Sequence, residues 1–280
     1  MPKSLRLLAL FAVCLCAMTL AGGLGDSLSL EGQLASSRGV ESLLSRQLPS
    51  GGWDCQAVPT ALSVLALEAA GYQLSDPPLP QPIFWLARQF AMTEDWALRA
   101  IIARALWLSG EESLRSQVRD WLRSCLADDW RGQAAKLDAS GGQFLLESVW
   151  LGGAEAGWSS EDAKELADVL DGRDSASLCY LYRLLTRPDG GDIAWSRATA
   201  AGLQNTISAT ADTEKIYWLA RVCWAAELRH LEVPVAWRSQ LASKLLELQT
   251  GDGSWPSFKS AEENTLATAH ALLAMAYILR

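Results

Sequence analysis

The chain has 280 residues, 50% hydrophobic and 20% charged, which suffices for one well-packed domain and excludes a disordered tail or a short disulfide scaffold. A formal charge of -8 argues against electrostatic binding of nucleic acid or of an anionic lipid surface, and neutral or cationic partners fit it better. Thirteen tryptophans against five tyrosines and five phenylalanines mark the composition, and rings of that size serve either packing or the wall of a cavity.

In residues 1–25, Lys3 and Arg6 precede an uncharged, mostly apolar run from Leu7 to Ala21 that is short for a bilayer span. This reads as a secretory signal with a peptidase site after Thr19 and Ala21. The expectation is export to a periplasm or the medium, with no stable membrane insertion after cleavage, and a single domain over residues 26–280. Export places Cys55, Cys125, Cys179 and Cys223 in an oxidising compartment, where two disulfides in three connectivities are open to them. The apolar settings of Cys125, Cys179 and Cys223 suit buried thiols equally well.

After Leu30 the apolar residues recur with helical period almost everywhere, and no segment alternates as a strand does. Breaks are expected at 49–52, 75–82, 108–112, 128–142 and 187–192, among others. The helices alternate in character. Residues 112–126 place Leu114, Val118, Trp121, Leu122 and Cys125 on one stripe with charges opposite, whereas 94–109 are apolar all round. The amphipathic stretches 33–47, 160–170 and 235–249 are likewise followed by mostly apolar ones at 57–70, 174–186 and 264–279. Outer helices therefore alternate with inner ones, and hairpins of about 40 residues would bury the inner faces as two concentric rings. The fold expected is all-α, an (α/α)6 toroid of six hairpins; an open solenoid is the alternative.

Residues 47–53 read QLPSGGW and residues 249–255 read QTGDGSW, so Gln47, Gly51 and Trp53 repeat as Gln249, Gly253 and Trp255. Each copy ends an outer helix and precedes an apolar one with matching Thr, Ala and Leu positions. Glycine permits the tight turn, the glutamine is expected to tie the frayed helix carbonyls to the free amides of the next helix, and the tryptophan to cover them. These two QxxxGxW segments resemble the QW repeats of squalene and terpene cyclases, whose toroid is shared with protein prenyltransferase β subunits and complement-type thioester domains. The resemblance spans six hairpins as architecture and two as motif.

The chemistry of those families is mostly missing. The chain contains no DxDD, the acid motif of the cyclases, and no GCGEQ thioester. The prenyltransferase resemblance would imply a zinc held by an aspartate, a cysteine and a histidine, for which Asp54, Cys55 and His270 stand nearby. That family spaces its aspartate and cysteine by one residue and these are adjacent, so no cofactor is expected, with zinc as the alternative. GxSxG, HExxH and phosphate-binding glycine loops are absent too.

If the inner helices run parallel, their N-termini gather Asp54, Glu94, Asp95, Asp174, Asp212, Glu214, Glu262 and Glu263 at one mouth, as helix caps or as an acidic functional rim. Glu68, Arg99, Arg104, Glu147, Arg183 and Arg221 interrupt apolar helices and are expected to pair across the inner layer. Glu147, if it faced a dry cavity, would have a raised pKa and could act as a general acid. Taken together, the sequence suggests an exported toroid that binds an apolar small molecule or a protein partner without turnover. The alternative is a divergent terpene cyclase-like or glycan-processing (α/α)6-barrel enzyme.

Overall fold

Helical periodicity is realised throughout. The computed structural model describes residues 25–171, 178–187, 195–257 and 264–280; among them the only β pairing is an isolated bridge between Trp53 and Gln56. The signal segment expected over residues 1–25 lies outside the described residues except for Gly25. No helix among the described residues is long and apolar enough to cross a membrane.

In chain order the helices are α1 (Asp26–Ser45), α2 (Ala57–Ala69), α3 (Pro80–Met92), α4 (Trp96–Leu108), α5 (Glu112–Ala127), α6 (Trp130–Ala134) and α7 (Ala139–Ser148). They continue with α8 (Ser160–Asp171), α9 (Leu178–Thr186), α10 (Arg197–Ala209), α11 (Thr213–Leu228), α12 (Trp237–Leu248) and α13 (Asn264–Ile278). After Ser148 the backbone of α7 runs on through a π-helical turn, Val149–Gly153, and a last helical turn, Ala154–Ala156. Starts are set by side-chain caps: Asp95, Asp129, Asp138, Ser196 and Asp212 each accept a backbone N–H of the first turn. The break expected over 128–142 proves to hold α6 and the first residues of α7, which Asp129 and Asp138 cap.

The two kinds of helix do what their patterns require. On α5, Leu114, Val118, Trp121, Leu122 and Cys125 are buried while the charged face stays out; Arg119 there pairs with Glu155 at 2.7 Å and with Glu112. On α4 the six residues Ala100, Ile101, Ile102, Ala103, Ala105 and Leu106 are all buried, so the helix is covered on most sides. The mostly apolar helices pack on one another in succession: α2 on α4, α4 on α7, α7 on α9, α9 on α11 and α11 on α13. The last of them, α13, returns to pack on α2, and α12 likewise touches α1.

Cys55, Cys125, Cys179 and Cys223 are free thiols, the first exposed and the rest buried, so neither of the two disulfides open to them has formed. The reason is placement. Cys125, Cys179 and Cys223 are dispersed on α5, α9 and α11, each facing apolar packing.

Candidate functional site

The two QxxxGxW segments fold alike. Gly51 and Gly253 have φ of 92° and 82°, and a Cβ on Gly253 would lie 2.5 Å from the Arg38 carbonyl oxygen, so only glycine fits. Trp53 and Trp255 are wholly buried, and each indole Nε1 donates to a carbonyl in the last turn of the preceding helix, Leu43 O and Leu245 O, both at 2.7 Å. Their backbone N–H groups donate to Thr60 Oγ1 at 2.9 Å and Thr268 Oγ1 at 3.1 Å, and both hydroxyls donate onward to the first turn of the following helix. The role expected of the glutamine needs correction. The frayed carbonyl is taken by the indole, while Gln47 donates to Gly51 O at 3.0 Å and Gln249 to Gly253 O at 2.9 Å, because both glutamines lie beyond the last helical residue and face the turn. Gln249 also reaches Ala35 O on α1, at 2.8 Å.

Of the described acids read as helix caps or as a shared rim, two are caps. Asp95 caps α4 through Ala97 N at 2.9 Å and Leu98 N at 3.2 Å, and Asp212 caps α11 through Lys215 N at 3.1 Å. Asp54 and Glu94 are exposed and Glu214 is half-buried; Asp174, Glu262 and Glu263 lie outside the described residues. None of these expected rim acids lines the cavity that opens among the C-terminal parts of the mostly apolar helices. Among the described residues no group of three or more His, Cys, Asp or Glu is arranged to hold a metal ion, so Asp54, Cys55 and His270 are not a ligand set. His270 is buried on α13 with its ring stacked on Tyr217, centroids 5.6 Å apart, whereas Asp54 and Cys55 are exposed in the turn before α2.

That cavity, about 440 Å³, collects residues from the middle and C-terminal turns of five helices: Arg104 on α4, Glu147 on α7, Tyr182 and Thr186 on α9, Arg221, Trp224 and Leu228 on α11, and Tyr277 on α13. Its floor is an occupied aromatic cage. The Arg221 guanidinium, on a side chain only 3% exposed, lies 3.9 Å from the Tyr182 ring centroid, 4.8 Å from Trp218, 5.2 Å from Tyr217 and 5.8 Å from Tyr277. It donates to Tyr217 Oη at 2.7 Å and to the Glu147 carboxylate. Glu147 also faces Arg104 Nε at 3.4 Å and accepts from Gln143 Nε2 at 3.0 Å. Burial pushes the Glu147 carboxyl up, but Arg221 and Arg104, with the hydrogen bonds of Gln143 and Arg221, outweigh it and hold the group below its ordinary value. The raised pKa expected of a general acid is therefore reversed. Burial raises the Tyr182 and Tyr217 phenols, which stay protonated.

The other interrupting charges are structural. Arg183 pairs with Asp171 at 3.4 Å and donates to Leu170 O at 3.0 Å; Arg99 sits 5.9 Å from the Phe90 ring; Glu68 is exposed and outside the layer. Arg187 adds to the first group, meeting Asp171 at 3.5 Å. A larger cavity, about 620 Å³, opens between α1, α2 and α13, but its two charged lining residues, Glu41 and Arg280, are exposed and no buried charge converges on it.

Sequence reasoning singled out Arg104, Glu147 and Arg221 but missed Trp150, Leu151, Tyr182, Trp224, Arg229 and Tyr277, which complete the cavity. Their common signal is position near the end of an apolar helix. Comparison with protein-family models and with curated proteins returns no match.

Proposed function

We propose that this chain is an exported six-hairpin α/α toroid, similar to the squalene cyclase and prenyltransferase group, that holds an apolar ligand in its central cavity without transforming it. The observation that carries the ligand reading is the cavity itself: a concave space within the roughly 300–1,000 Å³ usual for ligand pockets, walled by Trp150, Leu151, Leu185, Trp224, Leu228 and Tyr277. The toroid is supported by the packing circuit from α2 through α4, α7, α9, α11 and α13 back to α2, and by the Gln249 bond to α1. Six pairs then follow, each an amphipathic helix before a more buried one: α1 with α2, α3 with α4, α5 with α7, α8 with α9, α10 with α11, and α12 with α13. Export rests on the leader read in residues 1–25.

A concave aromatic wall favours a small molecule over a protein partner. Glu147, the acid a cyclase-like or glycan-processing reaction would call on, is held ionised between two guanidiniums, which favours binding over turnover. Two measurements test the reading. Solution scattering of residues 26–280 is expected to give a radius of gyration near ~18 Å, the value for a compact domain of this length, and a much larger one would sink the toroid. Native mass spectrometry of the protein purified gently from an exporting host is expected to show the leader removed and an organic adduct lost on collisional activation; a bare mass that takes up no added lipid would sink the ligand reading.

A further inference from the structure

The charge of the cavity is opposite to that of the protein. Three guanidiniums, Arg104, Arg221 and Arg229, line it against the single carboxylate of Glu147, in a chain whose formal charge is -8. Arg221 is enclosed by Glu147, Tyr217 and its aromatic cage with its side chain only 3% exposed, whereas Arg104 stays open to the cavity. Its one ion-pair partner among the described residues is the same Glu147, at 3.4 Å, its Nη1 is buried with no hydrogen-bond partner among them, and its side chain, 26% exposed, lines the cavity. Arg229, at the mouth, donates to the Arg187 carbonyl at 3.0 Å and has no carboxylate partner among the described residues. A half-buried guanidinium with donors to spare calls for an acceptor of fixed geometry, which a terminal oxyanion supplies in bidentate form.

Beside these two cations the lip is apolar. Leu228 is 62% exposed and Leu151 41%, and with Trp150 and Trp224 they line one cavity, the kind of grouped apolar exposure that marks an interaction site. Because the cavity opens at helix C-termini, their partial negative charge would oppose an anion. That charge is already met by the protein: Thr186 Oγ1 donates to Tyr182 O at 2.8 Å, Arg115 Nε to Trp107 O at 3.0 Å, and Arg229 to Arg187 O. Arg104, and the Arg229 donors not spent on the Arg187 carbonyl, are left for the ligand.

We propose that the ligand is an amphiphile with a terminal oxyanion, the oxyanion seated on Arg104 and Arg229 and the apolar chain lying against Trp150, Trp224 and Leu228. This rests on the reading of the cavity as an apolar-ligand site and narrows it to a chemical class. It also revises what the net charge suggested, since the local field of a half-buried cationic site outweighs that of screened surface acids.

The test is calorimetric titration of residues 26–280 with three probes of one chain length below their aggregation concentrations: decanoate, decyl phosphate and decanol. Either oxyanion is expected to bind at least tenfold more tightly than decanol, and the tighter of the two identifies the headgroup as carboxylate or phosphate. Arg104→Gln is expected to bring the ratio of oxyanion to alcohol affinity close to one, Arg104→Lys to keep part of it, and Arg229→Gln, at the mouth and not paired with Glu147, to lower it without removing a partner of the buried pair. Decanol binding as tightly as both oxyanions, or a ratio unmoved by Arg104→Gln and Arg229→Gln in folded protein, overturns the oxyanion while leaving the apolar site standing. Binding of none of the three overturns both.

Discussion

Gln249, at the end of α12, donates its side-chain amide to the carbonyl of Ala35 on α1, 214 residues earlier in the chain. Its counterpart Gln47 has only a 3.5 Å approach to Pro78 O beyond its own turn. One motif therefore serves two ends: both copies brace a local turn, and the second also ties the last amphipathic helix to the first. Gln249→Ala is expected to cost about 1–2 kcal/mol, and Gln47→Ala clearly less, since a neutral hydrogen bond nets about 0.5–1.5 kcal/mol. Thermal denaturation of the two variants side by side checks the order. Equal losses would mean that the contact to α1 contributes nothing.

Glu147→Gln should be far more damaging, because it leaves the Arg221 charge in its aromatic cage without its anion. Truncating one partner of a buried pair costs about 3–5 kcal/mol. The pH dependence has a definite sign. Glu147 is held below its ordinary value in the folded protein, so its contribution is fully present above the ordinary carboxyl pKa of 4.5 and is lost as pH falls through the lower folded value. The stability gap between wild type and Glu147→Gln, followed by urea denaturation, should be constant from pH 7 to about 5 and close below the carboxyl range. A gap that widens with acid would contradict the ion pair.

What the sequence could and could not disclose follows from the range of the interactions. Helix class, the apolar circumference of α4 and the stripe of α5 are local patterns, and the turn motif carries its own geometry in Gln, Gly and Trp. Local reading also left alternatives open. Asp95 and Asp212 read as caps or as rim acids because the two share residue types, and they are caps; Glu147 read as a charge paired across the layer, or as a general acid if it faced a dry cavity, and its partner Arg221 lies 74 residues away. The cage around Arg221 draws on α9, α11 and α13, and no spacing in the chain announces that those faces meet. The cavity opened at the helix C-termini for the same reason: where rings leave room is a property of the packed assembly.

Thiol chemistry gives a third prediction. Burial pushes the Cys125 and Cys179 thiols up to about 12 and raises Cys223 further, while Cys55 stands exposed. Iodoacetamide at pH 8 should therefore add one label to native residues 26–280 and four after denaturation without reductant, counted by intact mass. Two labels after denaturation would reveal a disulfide.

The fourth prediction sets two helical glycines against each other. Gly202, on the exposed side of α10, has open space where a Cβ would go, so Gly202→Ala should stabilise the protein by about 0.5–1 kcal/mol through helix propensity alone. Gly39, inside α1, gains the same propensity on paper, but a methyl group there would overlap the Trp255 ring and press 3.1 Å from Leu272 Cδ2. Trp255 cannot retreat, since its ring is fully buried and its Nε1 is bonded to Leu245 O. The overlap should exceed the propensity gain and leave Gly39→Ala destabilised by about 1–3 kcal/mol, the usual cost of overpacking. Opposite shifts in denaturation midpoint for the two alanines would locate the close approach of α1 to the second turn motif. A stabilised Gly39→Ala would mean that α1 and Trp255 are not in contact in solution, and the link between the first and last hairpins would have to be drawn elsewhere.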